Sequence, residues 1–199
     1  RNGKPYVNQL FLGHTAGAGA PFEDAWMTML HAGNGGMCYI DSVELDEIYT
    51  PIRVTKRHLI PDSEGAGRFR GAPGIEVELG PVDCRMEAGF VADGNIHNPL
   101  GARAGGAAAH SDQFRRLPGG TLERLEQCSQ IWIEDGETLV SIACGGGGYG
   151  DPKSRDADRV LRDVAEGLVS RERAAEIYGV IITEAMQIDG PATRAARAE

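Results

Sequence analysis

No two of the four cysteines in this 199-residue chain share C-x-x-C spacing. Cys38, Cys84, Cys128 and Cys144 stand far apart, which argues against a structural zinc site. Four thiols in a chain this long call for no disulfide framework. They are expected as reduced, mostly buried thiols of a cytoplasmic protein. Basic charge is scarce: 20 Lys and Arg face 29 Asp and Glu, for a net charge of −9. Nucleic-acid backbones need clustered Lys and Arg, so no nucleic-acid partner is expected. No apolar run approaches the roughly 20 residues of a membrane span, and no signal peptide opens the chain. No membrane partner is expected. The opening Arg1-Asn-Gly-Lys-Pro5 has no Met and reads as the middle of a longer protein or the product of a cut. His14, His31, His58, His97 and His110 include no i, i+4 pair of the kind that holds a metal on one helix face. Two more patterns are missing: G-x-x-x-x-G-K-[ST], and a G-x-G-x-x-G opening a βαβ unit.

Glycine, by contrast, is abundant. The 28 glycines are about twice the usual share of roughly 7%. They cluster at 13–19, 33–36, 65–74, 101–106 and 145–150, with no fixed period, so collagen-like and solenoid readings fail. Each cluster suits a bend or a close backbone approach. The apolar fraction of 41% and charged fraction of 25% fit a folded chain rather than a disordered one.

The pattern along the chain predicts an α+β fold: a β-rich mixed domain with Gly-rich loops and two short carboxyl-terminal helices. Strands are expected at 6–12, within 48–60, at 75–79 (alternating, hence half-buried), at 86–91 and at 131–133. Asp135-Gly136 predicts a hairpin from that last strand to a return strand at 138–144. Residues 22–30 could form a helix, 95–110 is loop-like, and 114–125 carries no clear pattern. Asp156 caps a helix with Val160, Leu161, Val164 and Leu168 on one face and Gly167 at its end. Ser170 caps a second helix that stops at Gly179. The organisation expected is one region over 1–183, with a strand-rich body at 5–150 and a helical end at 155–180. Residues 184–199 are Ala- and Arg-rich, lack a core pattern, and read as a tail that orders only if docked.

Two stretches stand out chemically. The first is Gly145, Gly146, Gly147, Gly148, Tyr149, Gly150 and Asp151, between a strand and a helix. It could be a tight backbone crossing or a loop lining an active site. The second is Arg68-Phe69-Arg70. Arginines two apart in an extended segment point the same way and could contact an anion. They could equally pair with Glu44, Asp46 or Glu47, the more ordinary fate of a surface arginine. A metal held by a histidine with Asp24 has no spacing to support it. No catalytic Cys–His pair can be assigned either.

Three stretches in register resemble the carboxyl-terminal part of the hydantoinase B/oxoprolinase family. The first joins Tyr49-Thr-Pro-Ile-Arg53 to Asp62-Ser-Glu-Gly-Ala-Gly-Arg-Phe-Arg-Gly71. The second is Gly145-Gly-Gly-Gly-Tyr-Gly-Asp-Pro152. The third runs from Arg159-Val-Leu-Arg-Asp-Val164 through Gly167-Leu-Val-Ser170 to Ile177-Tyr-Gly-Val180. The resemblance covers about residues 5 to 182. Residues 71–74 depart from it, with Gly-Ala-Pro-Gly where the family more often has Gly-Gly-x-Gly.

The resemblance implies a part of an ATP-dependent hydrolase complex that opens cyclic amides such as hydantoin, 5-oxoproline or a related lactam. A sister branch, the acetone and acetophenone carboxylases, implies an ATP- and bicarbonate-dependent ketone carboxylase as the alternative. A non-catalytic assembly segment of such a complex is the second alternative. The implied partners are a hydantoinase A-type subunit, which would carry ATP with Mg2+, and the remainder of the B-type subunit. A divalent metal, Zn or Mn, is implied on the amino-terminal part of that subunit and none on this chain. The catalytic residues stay unassigned.

Overall fold

The computed structural model describes residues 6–13, 17–26, 41–91 and 93–198. Its body is a five-stranded antiparallel sheet. The strands are β1 (Ile52–Leu59), β2 (Ile75–Pro81), β4 (Asp112–Arg116), β5 (Leu122–Arg124) and β7 (Thr138–Ala143), in the spatial order β1-β2-β7-β4-β5. A separate ribbon pairs β3 (Met86–Val91) with β6 (Cys128–Ile133). Among the described residues, four short α-helices complete the fold: α1 (Val43–Tyr49), α2 (Ala157–Ala165), α3 (Arg171–Glu176) and α4 (Gly190–Ala198).

The alternation in β2 does place Ile75, Val77 and Leu79 on one face, in a core with Leu12. The strand is nevertheless more than half-buried, because β1 and β7 flank it on both sides. On its other face Glu78 is buried and held by both nitrogens of the Arg116 fork, Nε at 2.7 Å and Nη2 at 3.1 Å. Thr138 Oγ1 donates to the same carboxylate. These bonds satisfy a charge that would otherwise oppose burial.

Several expectations need correction. The turn at 134–137 exists, with Glu137 N bonded to Glu134 O and Gly136 at φ +88°. Its arms, however, do not pair with each other: β6 joins β3, while β7 enters the main sheet between β2 and β4. A turn signal fixes a reversal of direction but not the partner of each arm. The unassigned stretch 114–125 is the β4–β5 hairpin, closed by Gly119 and Gly120 at positive φ. Residues 21–26 are bends and a turn instead of the start of a helix, and 27–30 lie outside the described residues. The backbone there is pulled aside by long-range bonds, Ala25 N to Arg70 O and Arg70 N to the Asp24 carboxylate. Helix α1 follows Ser42, whose Oγ accepts from Leu45 N. Of the cysteines, Cys84 and Cys144 are half-buried and Cys128 is exposed; Cys38 lies outside the described residues.

The carboxyl-terminal helices form as their caps predict. Asp156 accepts from Asp158 N and Arg159 N to open α2, and Gly167 ends it at φ +72°. The Ser170 hydroxyl accepts from Arg173 N to open α3, and Gly179 follows at φ +62°. Together they bury Val160, Val169, Ala174, Tyr178 and Val180 in a second core. Each large apolar side chain there contributes about 1.5–3 kcal/mol. A third helix, α4, follows within the stretch read as a tail. Asp189 caps it through Ala192 N, and Thr193 Oγ1 accepts from Ile181 N. Arg197 donates to the carbonyls of Tyr178 and Arg155. This docking runs through hydrogen bonds, which leave no apolar period in the sequence.

Candidate functional site

Four of the five Gly-rich clusters meet at one place; the fifth, 33–36, lies outside the described residues. Gly145 to Gly148 are buried immediately after β7 and are crossed by three other backbone segments, 17–19, 65–72 and 101–106. Gly146 N donates to Ala72 O, and Gly146 O accepts from Gly65 N. Gly147 O accepts from Gly19 N, Gly148 N donates to Gly106 O, and Gly148 O accepts from Ala102 N. Tyr149 exchanges both backbone bonds with Phe69 and bridges Ala102 on its other side. A Cβ on Gly146 would collide with the Gly17 carbonyl, and one on Gly148 with the Ala66 carbonyl. Absence of a side chain is what allows four main-chain segments to pack here.

This geometry bears on phosphate binding. The amides of Gly146, Gly148, Tyr149 and Gly150 are already bonded to protein carbonyls. A phosphate cradle needs such amides unengaged. The run therefore does not fit the phosphates of ATP. Asp151 stands exposed beyond it and caps the 152–154 turn through Lys153 N.

Beside the crossing lies a buried ionic cluster. Arg155 is only 1% exposed, and its guanidinium is fully engaged. Nη1 and Nη2 grip the two Asp24 oxygens at 2.7 and 2.8 Å. Nη2 and Nε also reach Asp163 Oδ2, and Nη1 donates to Arg68 O. Arg70 Nε holds the other Asp163 oxygen at 2.9 Å. Burial by itself would lower the Arg155 pKa. The Asp24 hydrogen bond and the Asp163 and Asp24 charges outweigh that and hold it above its ordinary value. Burial likewise acts to raise Asp24, but the Arg155 bond and charge prevail and leave it lowered.

A second cluster ties the 62–74 loop to α3. Glu64, 1% exposed, receives Arg173 Nε at 2.8 Å and the Tyr178 hydroxyl at 2.9 Å on Oε1. Burial first, then the Glu64 charge, pushes the fully buried Tyr178 phenol well above its ordinary pKa. It stays a neutral donor. Arg173 also donates to Glu64 O.

The two arginines singled out from the sequence thus part ways. Arg70 is held by Asp163 and Gly71 O, not by Glu44, Asp46 or Glu47. Arg68 is exposed, its guanidinium 5.6 Å from the Phe69 ring centre. Asp24 is committed to Arg155, which takes both of its oxygens. His14 and His31 lie outside the described residues; His58 stands 3.6 Å from Glu76, and His97 and His110 are exposed or nearly so. No group of three His, Cys, Asp or Glu suited to a metal occurs among the described residues. Arg155, Asp163, Glu64 and Tyr178 were not foreseen. Only Asp163 left a trace, as an acid three residues after Val160 on the inward face of α2.

The hydantoinase B/oxoprolinase family model matches residues 1–152. The chain belongs to this family. Caprolactamase subunit beta of Pseudomonas jessenii is 33% identical over 99% of this chain and 35% of its own length. The crystal structure of the ATP-dependent caprolactamase from the same organism superposes with a TM-score of 0.72 at 30% identity, over 92% of this chain and 33% of that one. The acetone carboxylase alpha subunit of Xanthobacter autotrophicus is 24% identical over 79% of this chain and 25% of its own length. This hydantoinase B-type chain therefore spans about a third of the length of the caprolactamase subunit and a quarter of the carboxylase subunit. No helix among the described residues is long and apolar enough to cross a membrane.

Proposed function

We propose that this chain works as one part of the B-type subunit in an ATP-dependent hydrolase that opens a cyclic amide, with a lactam as the favoured substrate class. The observation that carries this reading is the 33% identity to caprolactamase subunit beta over 99% of the chain. The ketone carboxylase reading has weaker support, 24% identity over 79%. In this proposal ATP with Mg2+ is held by an A-type partner. The amides of Gly146, Gly148, Tyr149 and Gly150 are engaged by protein carbonyls, which disfavours the run as a phosphate cradle. The divalent metal, Zn or Mn, belongs to the remainder of the B-type subunit.

The Gly145-to-Asp151 run is then a wall of a shared active site. Its buried half fixes the 17–26, 65–72 and 101–106 segments against each other, and Tyr149, Asp151 and Arg68 stand at its outer edge. Arg68 is an exposed cation at that edge, open to an anionic group; Arg70 acts by holding Asp163. The test is ATP turnover by the complete complex. A lactam or hydantoin should raise ADP release, with ring-opened product formed in step. Turnover that responds only to a ketone with bicarbonate replaces this reading with the carboxylase. Alanine at Tyr149 and at Asp151 separates wall from scaffold. Lost activity in an intact complex supports the wall, and unchanged activity makes the run a scaffold.

A further inference from the structure

The ribbon β3–β6, the end of α1 and the amino-terminal segment enclose a cleft of about 1120 Å³ on the side of the molecule bearing the ribbon. Its rim is aromatic and open to solvent. Tyr6 is 54% exposed, Tyr49 71% and Trp132 45%. The apolar surface continues along α1, where Leu45 and Ile48 fall on the same helical face as Tyr49 and are also more than half exposed. Helices normally turn that face inward. Within the cleft, a Cβ at Gly89 would meet nothing within 4 Å, and its backbone is not in the left-handed region. Gly89 thus leaves its own place in the cleft lining bare. Arg85 lies over the Trp132 ring at 4.3 Å, fixing that side chain as a preformed wall.

We infer that this cleft is the docking surface for the remaining part of the hydantoinase B-type subunit. The inference rests on the reading above, that the chain acts as one part of such a subunit. Two observations select this occupant. The chain corresponds to 33% of the caprolactamase chain it superposes on, so a subunit of that architecture has about two-thirds of its length outside this chain to supply the covering surface. The cleft and the α1 face together supply exposed anchors for such packing, Tyr6, Tyr49, Trp132, Leu45 and Ile48, while Asp83, Arg85 and Glu87 place charges along the lining and Gln130 is bonded to Glu87. The partner surface is accordingly an apolar polypeptide segment that inserts a side chain over Gly89, between Trp132 and Tyr49.

Gly89→Phe fills that bare place without forcing a strained backbone, and Trp132→Glu puts a charge on the wall. Radical footprinting of Trp132 and Tyr49 compares this 199-residue chain alone with the same chain assembled with the rest of its B-type subunit. Both residues should be labelled in the first and protected in the second. In the assembled protein, each substitution should restore labelling of Tyr49 or weaken association by about tenfold or more. Gly89→Ala, which leaves room, should behave as wild type. Equal labelling in both states overturns the proposal. So does protection in the isolated chain that grows with its concentration, which would make the cleft a contact between copies. The functional reading fails differently: a fully assembled, footprint-protected complex that gives no lactam-dependent ATP turnover refutes the activity and leaves the docking surface standing.

Discussion

Gly148→Ala adds one methyl group where four main-chain segments cross. The new Cβ would strike the Ala66 carbonyl oxygen and lie 2.7 Å from Gly65 O. Both obstacles are backbone, so no side chain can swing aside. Gly148 is not in the left-handed region, so alanine's own φ preference adds nothing and the collision acts alone. Overpacking of this kind costs about 1–3 kcal/mol. Moving the run away from 65–66 stretches the bonds that hold the two together on either side of Gly148, from Gly65 N to Gly146 O and from Tyr149 N to Phe69 O, both 2.8 Å. Each is worth about 1 kcal/mol net. The expected loss is about 3–5 kcal/mol, a large share of the 5–15 kcal/mol typical of a folded domain. For a chain of this size it lowers Tm by about 6–20 °C. Gly89→Ala is the control, since nothing lies within 4 Å of the added methyl; it should stay within about 0.5 kcal/mol of wild type. Urea and thermal unfolding followed by circular dichroism read both. A Gly148→Ala protein as stable as Gly89→Ala would refute the claim that the run is a tight crossing.

Arg155→Met should cost about 3–5 kcal/mol by urea denaturation, because it strips both carboxylates of the buried guanidinium that grips them, leaving Asp163 to Arg70 and Asp24 to Arg159 at 3.7 Å. Tyr178→Phe should cost about 1–3 kcal/mol in the same assay, since Glu64 loses one of its two side-chain donors. The folded pKa of Asp24 is lowered, so its stabilisation is present above the unfolded value of about 3.9 and is lost as pH falls through the folded value. The stability difference between wild type and Asp24→Asn should therefore be constant near neutrality and shrink below about pH 4; a difference unchanged to pH 2 contradicts it. Gly167→Ala at φ +72° should cost about 1 kcal/mol through the αL penalty alone, because the site is otherwise open.

How much the sequence revealed depends on the range of the interaction involved. Asp156, Gly167, Ser170 and Gly179 act on neighbours within a few residues, and helices α2 and α3 formed where those caps placed them. The alternation of Ile75, Val77 and Leu79 likewise marked the face of β2 that meets Leu12. The destination of β6 depends on β3, some forty residues earlier, and the local turn at Asp135-Gly136 carries no information about it. The candidate site was half legible. Clustered glycines announced close backbone approaches, and the clusters at 17–19, 65–72 and 101–106 converge on 145–148. The ion clusters gave almost no warning. Arg155 and Asp24 are 131 positions apart, and Glu64 and Tyr178 are 114 apart, so no spacing rule links them. Arg70 looked like an anion contact because its partner, Asp163, was hidden among the apolar positions of α2. Helix α4 was missed because Arg197 and Thr193 dock it by hydrogen bonds to backbone atoms.

The central claim is that this chain serves an ATP-dependent cyclic-amide hydrolase. The most direct measurement is ADP release by the purified complex containing this chain, the rest of its B-type subunit and an A-type partner, with a lactam or with a ketone plus bicarbonate. The account predicts ADP release that rises with the lactam and matches ring-opened amino acid in amount. ADP release that ignores lactams and hydantoins and follows a ketone with bicarbonate would contradict it.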